Sequence, residues 1–450
     1  MIKSKQAPIV VIGAGISGLN AAHALHKMGK QVLILEARSR LGGRIYSEKI
    51  GDAVYDLGAS WIHGIENNPI WALVQQHQIE TTVFNYDESL YYHKHGVKFT
   101  PHEQHNFEQS INYLLQRFTH LDPSEHFLNA LDALHTWLYD ADFLDFLSAK
   151  LHIDHTEQIK FQKMLLAFFK KLAEDPCASD LEHLAADFWQ HGNYFAGDEV
   201  IFPQGYAQII DVLSKDLTIL TQHAVQSIDY SQALIQIKTQ NGACLSASQV
   251  VISVPLGVLK QQNIQFIPEL PMQKQQAIQQ LGFGTFNKLF VSFERAFWKA
   301  EHTPNVNNIN TYHQDGWLNF LDLSAVYAQP TLLFLFGGQS AIDIEKLSCQ
   351  QLWQQIHMSL NATFKDIPQP THMFKTAWGM DEFSQGSFSY QAVGQNSEHI
   401  AGLKQPIQNQ LFFAGEHLAQ FGSGTVHGAY ASGLEVAQLI LDPVSSEEAQ

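Results

Sequence analysis

The stretch IVVIGAGISGLNAAHAL, residues 9 to 25, constrains what this chain can fold into more than any other part of it. A β-branched run ends in Gly13-Ala14-Gly15, and Ile16, Leu19, Ala22 and Leu25 then recur at helical spacing. QVLILE follows as a second strand and ends in an acid, Glu36. The pattern predicts a β-α-β unit with Gly13, Gly15 and Gly18 at its turn. Backbone amides and a helix N-terminus at such a turn can approach a pyrophosphate, and Glu36 can accept hydrogen bonds from a ribose. Glycines also serve ordinary turns, so GxGxxG alone is weak. Here the strand, the helix and the acid agree on a dinucleotide site in an α/β fold.

The same run could pass for a signal or membrane helix, but its glycine spacing and the lack of a cleavage pattern argue for folded structure. No other stretch is apolar for long enough to span a bilayer, so a soluble, cytoplasmic protein is expected. With 450 residues, 45% of them hydrophobic, the chain exceeds what one core usually holds and should form two domains. There are 27 basic and 44 acidic residues, a net charge of -17, which argues against nucleic acid and suits steering of a cation. Cys177, Cys244 and Cys349 are too few and too scattered for a disulfide framework or a zinc site, so no metal is expected. No internal repeat or low-complexity tract is found, and the tail VSSEEAQ is expected to fray.

NAD and FAD remain alternatives until ARSRLGGR, residues 37 to 44. A second glycine pair and Arg44 supply another close backbone approach and a guanidinium able to bridge phosphate oxygens, which suits an extended FAD. Helix-rich residues 103 to 175 follow, with FEQSINYLLQRF and IKFQKMLLAFFKKLAE. IFPQGYAQIIDVLSK leads to strands AVQSIDY, ALIQIKT and QVVISV, the middle pair expected to turn at Asn241-Gly242. FNKLFVSFE, GWLNFLDL and TLLFLF are further strands, and LFFAGEH precedes a helix starting near Thr425. In GTFNKLFVSFE, Lys288 shares a face with Phe286 and Phe290 while the opposite face is also apolar. The residues alone leave two readings open: a lysine snorkelling at a strand end, or one held for function. In GASWIHG, residues 58 to 64, His63 stands beside Trp61 in a glycine-bounded loop, and as one of 23 histidines it would by itself read as structural or exposed.

VVIGAGISGL, LEARSRLGGR, DLGASWIHG, FPQGY, VISVPLGVL, GTFNKLF, the stretch from Trp378 to Tyr390, and FAGEH leading to GTVHGAYASG together resemble the flavin-containing amine oxidases, especially their polyamine oxidase branch. The resemblance covers nearly the whole chain but is almost absent from 100 to 190. It implies a Rossmann-type FAD-binding domain (1-85, 196-285 and 395-450) interleaved with an α+β substrate domain (86-195 and 286-394) built on a mixed sheet. It places Gly13, Gly15, Gly18, Glu36, Arg38, Gly43, Arg44, Gly58, Ala59, Ser60, Trp61, Val225, Trp378, Gly415, Glu416, Thr425 and Val426 at the cofactor. Lys288 falls on the family's flavin-facing lysine, which holds a water near flavin N5 and could stabilise developing superoxide.

The substrate would meet Trp61, His63, Phe388 and Thr425. Phe388 supplies one aromatic wall; the second wall falls on Thr425, which is not aromatic and speaks against a monoamine-type cage. Threonine also stands there in the animal polyamine oxidases and the lysine-specific histone demethylases. The resemblance puts the GASWIHG loop against the flavin, where His63 could hydrogen-bond a substrate amine and favour its neutral form. No cysteine stands near 386 to 388, so the FAD is expected to be non-covalent.

An amino-acid oxidase needs a cation for the α-carboxylate. Of Arg38, Arg40, Arg44, Arg117 and Arg295, the chain's five arginines, only Arg117 is left for that task. The reading is therefore a polyamine oxidase that uses O2 and releases hydrogen peroxide, as a monomer or homodimer, with Asp198 and Glu199 as candidate channel acids. A monoamine or L-amino-acid oxidase, a non-catalytic FAD-binding protein and a chromatin demethylase are the alternatives. The last is disfavoured by the lack of a long helical insertion or a DNA-binding module.

Overall fold

The computed structural model describes residues 7-84, 88-122, 124-191, 195-299, 306-313 and 316-442; the VSSEEAQ tail lies outside them. Strand β1 (Ile9–Ile12), helix α1 (Ile16–Lys27) and strand β2 (Val32–Leu35) form the expected unit. β1 is central in an all-parallel sheet of order Leu411–Phe413, Gln249–Ile252, β1, β2, Ile219–Leu220. Apolar side chains coat both faces, as a sheet buried on both sides requires. On one face α1 packs against the last helix, Val426–Leu441. Gly13 sits at φ +104, and a Cβ on Gly18 would lie 2.2 Å from the Gly13 carbonyl oxygen, so helix and strand touch through backbone alone.

A six-stranded sheet holds His372–Lys375, Phe286–Ser292, Thr331–Gly337, Gly316–Asp322, Asn308–His313 and Ser89–Tyr92 in that order. Its neighbours are antiparallel except the last pair. Helices Pro101–Thr119 and His155–Cys177 cover this part with a cluster rich in Phe and Trp. Both arise from strong local signals: Thr100 and Glu103 make a capping box ahead of the first, and the second carries an apolar stripe that includes Leu165, Phe168, Phe169 and Ala173. Two sequence readings need correction. The hairpin around Asn241-Gly242 joins Ile235–Thr239 to Cys244–Ala247, a strand too polar to stand out, whereas QVVI of QVVISV belongs to the parallel sheet beside β1. Asn308–His313, His372–Lys375 and Phe388–Tyr390 were likewise not anticipated, because they are short or polar.

Candidate active site

A cavity of about 1040 Å³ runs from the first glycine turn, past the GASWIHG loop, to the space between the six-stranded sheet and helix His155–Cys177. Its first half is formed by the β1-α1 turn. Gly13 and Gly15 line it, and a Cβ on Gly15 would meet nothing within 4 Å, so backbone faces open space. Ser17 in the first turn of α1 lines it too, with a buried Oγ that has no partner among the described residues. At the end of β2 Glu36 is 5% exposed, and its carboxylate accepts from the backbone N–H groups of Ala14 (2.7 Å) and Arg38 (2.8 Å). Those contacts aim a fixed acid at the cavity beside the helix N-terminus, the arrangement that a ribose next to a pyrophosphate requires. The unpartnered Ser17, the bare Gly15 backbone and the aimed Glu36 fit an extended dinucleotide.

Every residue that the sequence assigned to the cofactor lines this cavity except Gly18, which lies beneath the turn and permits the packing of α1. Several do work that the sequence did not disclose. The Arg38 guanidinium forks onto Asp381 and so ties the β2 loop to a segment 343 residues away. Arg44 donates from Nη1 to the Ser387 carbonyl (2.7 Å) and to Glu416 Oε1 (2.8 Å). Glu416 is 4% exposed and also accepts from Gly424 N–H (3.0 Å) and Ser389. Burial pushes its carboxyl up, but Arg44, His417 and Ser389 outweigh that and hold it below its ordinary value. Thr425 is the N-cap of Val426–Leu441: its hydroxyl accepts from Gly428 N–H (3.0 Å) and donates to the Gly422 carbonyl (2.6 Å). A threonine here therefore has a local reason, since an aromatic residue would leave the helix uncapped.

The second half centres on Lys288, which is 4% exposed and does not snorkel. Its Nζ donates to the carbonyls of Asp56 (3.1 Å) and Gly58 (2.6 Å) and to Ser60 Oγ. All three donors of the ammonium are thus spent on the loop that carries Trp61 and His63, and none remains for the water that the resemblance implied. Burial lowers the Lys288 pKa to about 8, and Asp56, itself buried and raised to about 7, pulls it back up. The Lys288 Nζ also lies 5.2 Å from the Trp61 ring centroid. Trp378 donates from Nε1 to the Leu57 carbonyl (3.0 Å). Its backbone N–H is held by Asn287 (2.9 Å), a fully buried amide next to Lys288 on the same strand. Phe388 stands 5.7 Å from Phe286, at 48° between rings.

His63 Nδ1 lies 2.7 Å from Glu199 Oε2. A carboxylate can only accept, so Nδ1 carries the proton and donates. Glu199 lines the cavity with His63, whereas Asp198 does not. No local signal joined His63 to Glu199, because they are 136 residues apart and meet where Trp61–Ile62 pairs with Val200–Ile201. The cavity continues past Phe168, Lys171, Asp175, Trp189, Asn308, Asn310 and Asn319, none of which the sequence reading named. Arg117 is not at the cavity. It bonds to Asp140 and Glu125 and stacks on Trp137 at 4.8 Å, which removes it as a carboxylate clamp. None of the three cysteines lines the cavity.

The chain matches the family model for flavin containing amine oxidoreductases over residues 16–441. It is 31% identical to polyamine oxidase 2 of Arabidopsis thaliana, over 97% of this chain and 88% of that protein. It is 30% identical to polyamine oxidase 3 of Oryza sativa subsp. japonica, over 97% and 89%. The human lysine-specific histone demethylase 2 is 29% identical over 96% of this chain, which spans 53% of that protein. With a dinucleotide cradle, a buried lysine under an aromatic-walled cavity and a family match across nearly its whole length, the chain belongs to the flavin-containing amine oxidoreductases and is an FAD-dependent enzyme.

Proposed function

We propose that this enzyme is a polyamine oxidase that oxidises a C–N bond of spermine- or spermidine-type amines. The observation that carries the reading is the cavity beyond Lys288. It is long and has aromatic and amide walls, and no guanidinium lies in its distal half among the described residues. An amino acid's carboxylate would be buried there without its usual bidentate partner, which is costly. The plant relatives named polyamine oxidases support the same reading. FAD, which Gly13, Gly15, Glu36, Arg44 and Glu416 would hold, would supply a hydride acceptor for the carbon next to the substrate nitrogen and a route for the electrons to O2 as hydrogen peroxide, with water splitting the imine into aldehyde and amine. The chain's own residues prepare that step. His63, with Nδ1 held by Glu199, lines the cavity beside the loop that Lys288 clasps, where it hydrogen-bonds the substrate nitrogen and favours the form whose lone pair is available. Lys288 fixes the loop bearing His63 and keeps a positive charge where reduced oxygen forms. The absence of cysteine from the cavity supports a dissociable flavin.

Anaerobic mixing of the yellow protein with spermine, spermidine, N-acetylspermine, benzylamine and phenylalanine tests the reading. Bleaching of the flavin by the polyamines alone is expected. Bleaching by phenylalanine or benzylamine alone would overturn it.

A further inference from the structure

Lys288 is a buried cation whose hydrogen-bond partners are all neutral. Two are carbonyls and one is a hydroxyl, so no described group that touches the ammonium balances its charge. The opposing charge comes from a residue of the same clasp. Asp56 lends its carbonyl to Lys288 at 3.1 Å, and its own buried carboxylate lies a few bonds from that carbonyl.

The FPQGY turn holds that carboxylate. Tyr206 N–H donates to Asp56 Oδ1 (2.9 Å) and Ala207 N–H to Ser47 Oγ (3.0 Å), while the Ser47 hydroxyl donates to the same Asp56 oxygen. Gly205 makes room for this, since a Cβ there would lie 2.7 Å from Ser47 Oγ. Three segments far apart in the chain thus meet at one buried acid: the hairpin of Ser47–Ile50 with Ala53–Asp56, the turn ahead of Gln208–Ser214, and Lys288 on Phe286–Ser292. Neither Asp56 nor Ser47 lines the cavity, so the node can reach the chemistry only through Lys288.

The other titratable groups around the pair do not compete with it. The Tyr206 and Tyr327 phenols are pushed well above their ordinary value by burial and then by Asp56, and stay neutral. Tyr55 turns its hydroxyl to Ser292 and Gln329. On the neighbouring strands Leu335 opposes Lys288, while Lys375 opposes Leu289 and so points to the other face of the sheet. Across the cavity Lys171 is paired with Asp175 and Glu199 with His63. Burial drives the Lys288 pKa down to about 8 against the pull of Asp56.

We infer that Asp56 is a positioning residue for reoxidation of the flavin: its carboxylate, oriented by Ser47 and the FPQGY turn, keeps Lys288 charged. This rests on the reading that puts the Lys288 charge where oxygen is reduced, and it adds the group that maintains the charge.

The test reduces the holoenzyme with light or dithionite, so that no amine substrate is involved, and follows reoxidation by O2 against pH. In the native enzyme the rate constant should fall as the ammonium is lost above about pH 8. In Asp56→Asn the fall should move down by about one pH unit or more, which makes reoxidation at least about threefold slower at about pH 7.5. Below about pH 7 Asp56 itself binds a proton, so variant and native enzyme should converge at about pH 6. The midpoint potential of the flavin should follow, lower than native at about pH 7.5 and equal at about pH 6, because a nearby cation favours the anionic reduced ring. Ser47→Ala removes a hydrogen bond that favours the ionised carboxylate, so it should shift the profile the same way by less. If Asp56→Asn does not fold, Ser47→Ala decides the matter, and an unchanged profile there overturns the inference. In a Lys288→Met background, Asp56→Asn should alter neither readout. A native profile in Asp56→Asn, or an effect that persists without Lys288, overturns the role of Asp56 while that of Lys288 stands. If Lys288→Met by itself leaves the native profile unchanged, the reading of Lys288 fails and Asp56 falls with it.

Discussion

His63 and Glu199 show how a side chain that looks ordinary in sequence becomes a reactive pair in space. If Glu199 acts by holding His63, the two contributions are not independent. In a double-mutant cycle, His63→Ala and Glu199→Ala should each lower kcat/KM, and the double variant should cost less than their sum by about 1 kcal/mol. Additive losses would separate the residues. Lys288→Met should slow reoxidation of the reduced flavin by O2 at least about tenfold in stopped-flow, as the fixed charge disappears. The same change leaves the Asp56 and Gly58 carbonyls and Ser60 without their donor, so a loss of about 1–3 kcal/mol in stability should accompany it. His417 is 2% exposed, neither ring nitrogen has a described partner, and burial drives its pKa down to about 4. The unfolded chain, near 6.5, binds its proton first, so stability is full above pH 6.5 and is lost as pH falls toward 4, by up to about 3 kcal/mol. Replacing His417 with Asn should flatten the denaturant midpoint against pH across that window; an unchanged slope would assign it to other groups.

Among the elements, the legible ones were those whose physics is local. β1, α1 and β2 could be read because period and glycine turn agree within 28 residues, and the cap at Thr425 because Gly and Thr precede an apolar helical stripe. What could not be read are partners set by packing: the fork from Arg38 to Asp381, the clasp of Lys288 on its loop, and the pairing of Asn310 with Asn319 at the cavity. Asn308, Asn310 and Asn319 carry no motif, and only strand register brings them together. Gly18→Ala tests the turn at this scale. With 2.2 Å between its Cβ and the Gly13 oxygen, α1 must move off β1, and flavin retention on gel filtration should be lost together with a large drop in melting temperature. Full flavin content in that variant would show that the turn is looser than its geometry.

At the scale of the whole molecule, the net charge of -17 raises the encounter rate of a polycation, an effect that weakens with salt because the Debye length falls to about 8 Å at physiological ionic strength. Raising ionic strength should therefore lower kcat/KM for spermine more steeply than for N-acetylspermine, which carries one charge fewer. Equal slopes would mean that steering has no part in selection. The parallel sheet has a further consequence for how the molecule comes into being. Its edge strand is Leu411–Phe413 and its cavity is closed by Thr425, while its centre is β1. A ribosome must deliver more than 400 residues before the first strand meets its last companions. Until then the glycine turn and Glu36 are displayed without Glu416 or the capped helix opposite them, so the nascent chain offers a flavin only one side of its cradle. Cofactor uptake is then an event of the finished chain, and a ribosome stalled at codon 400 should hold a polypeptide that stays colourless in excess FAD.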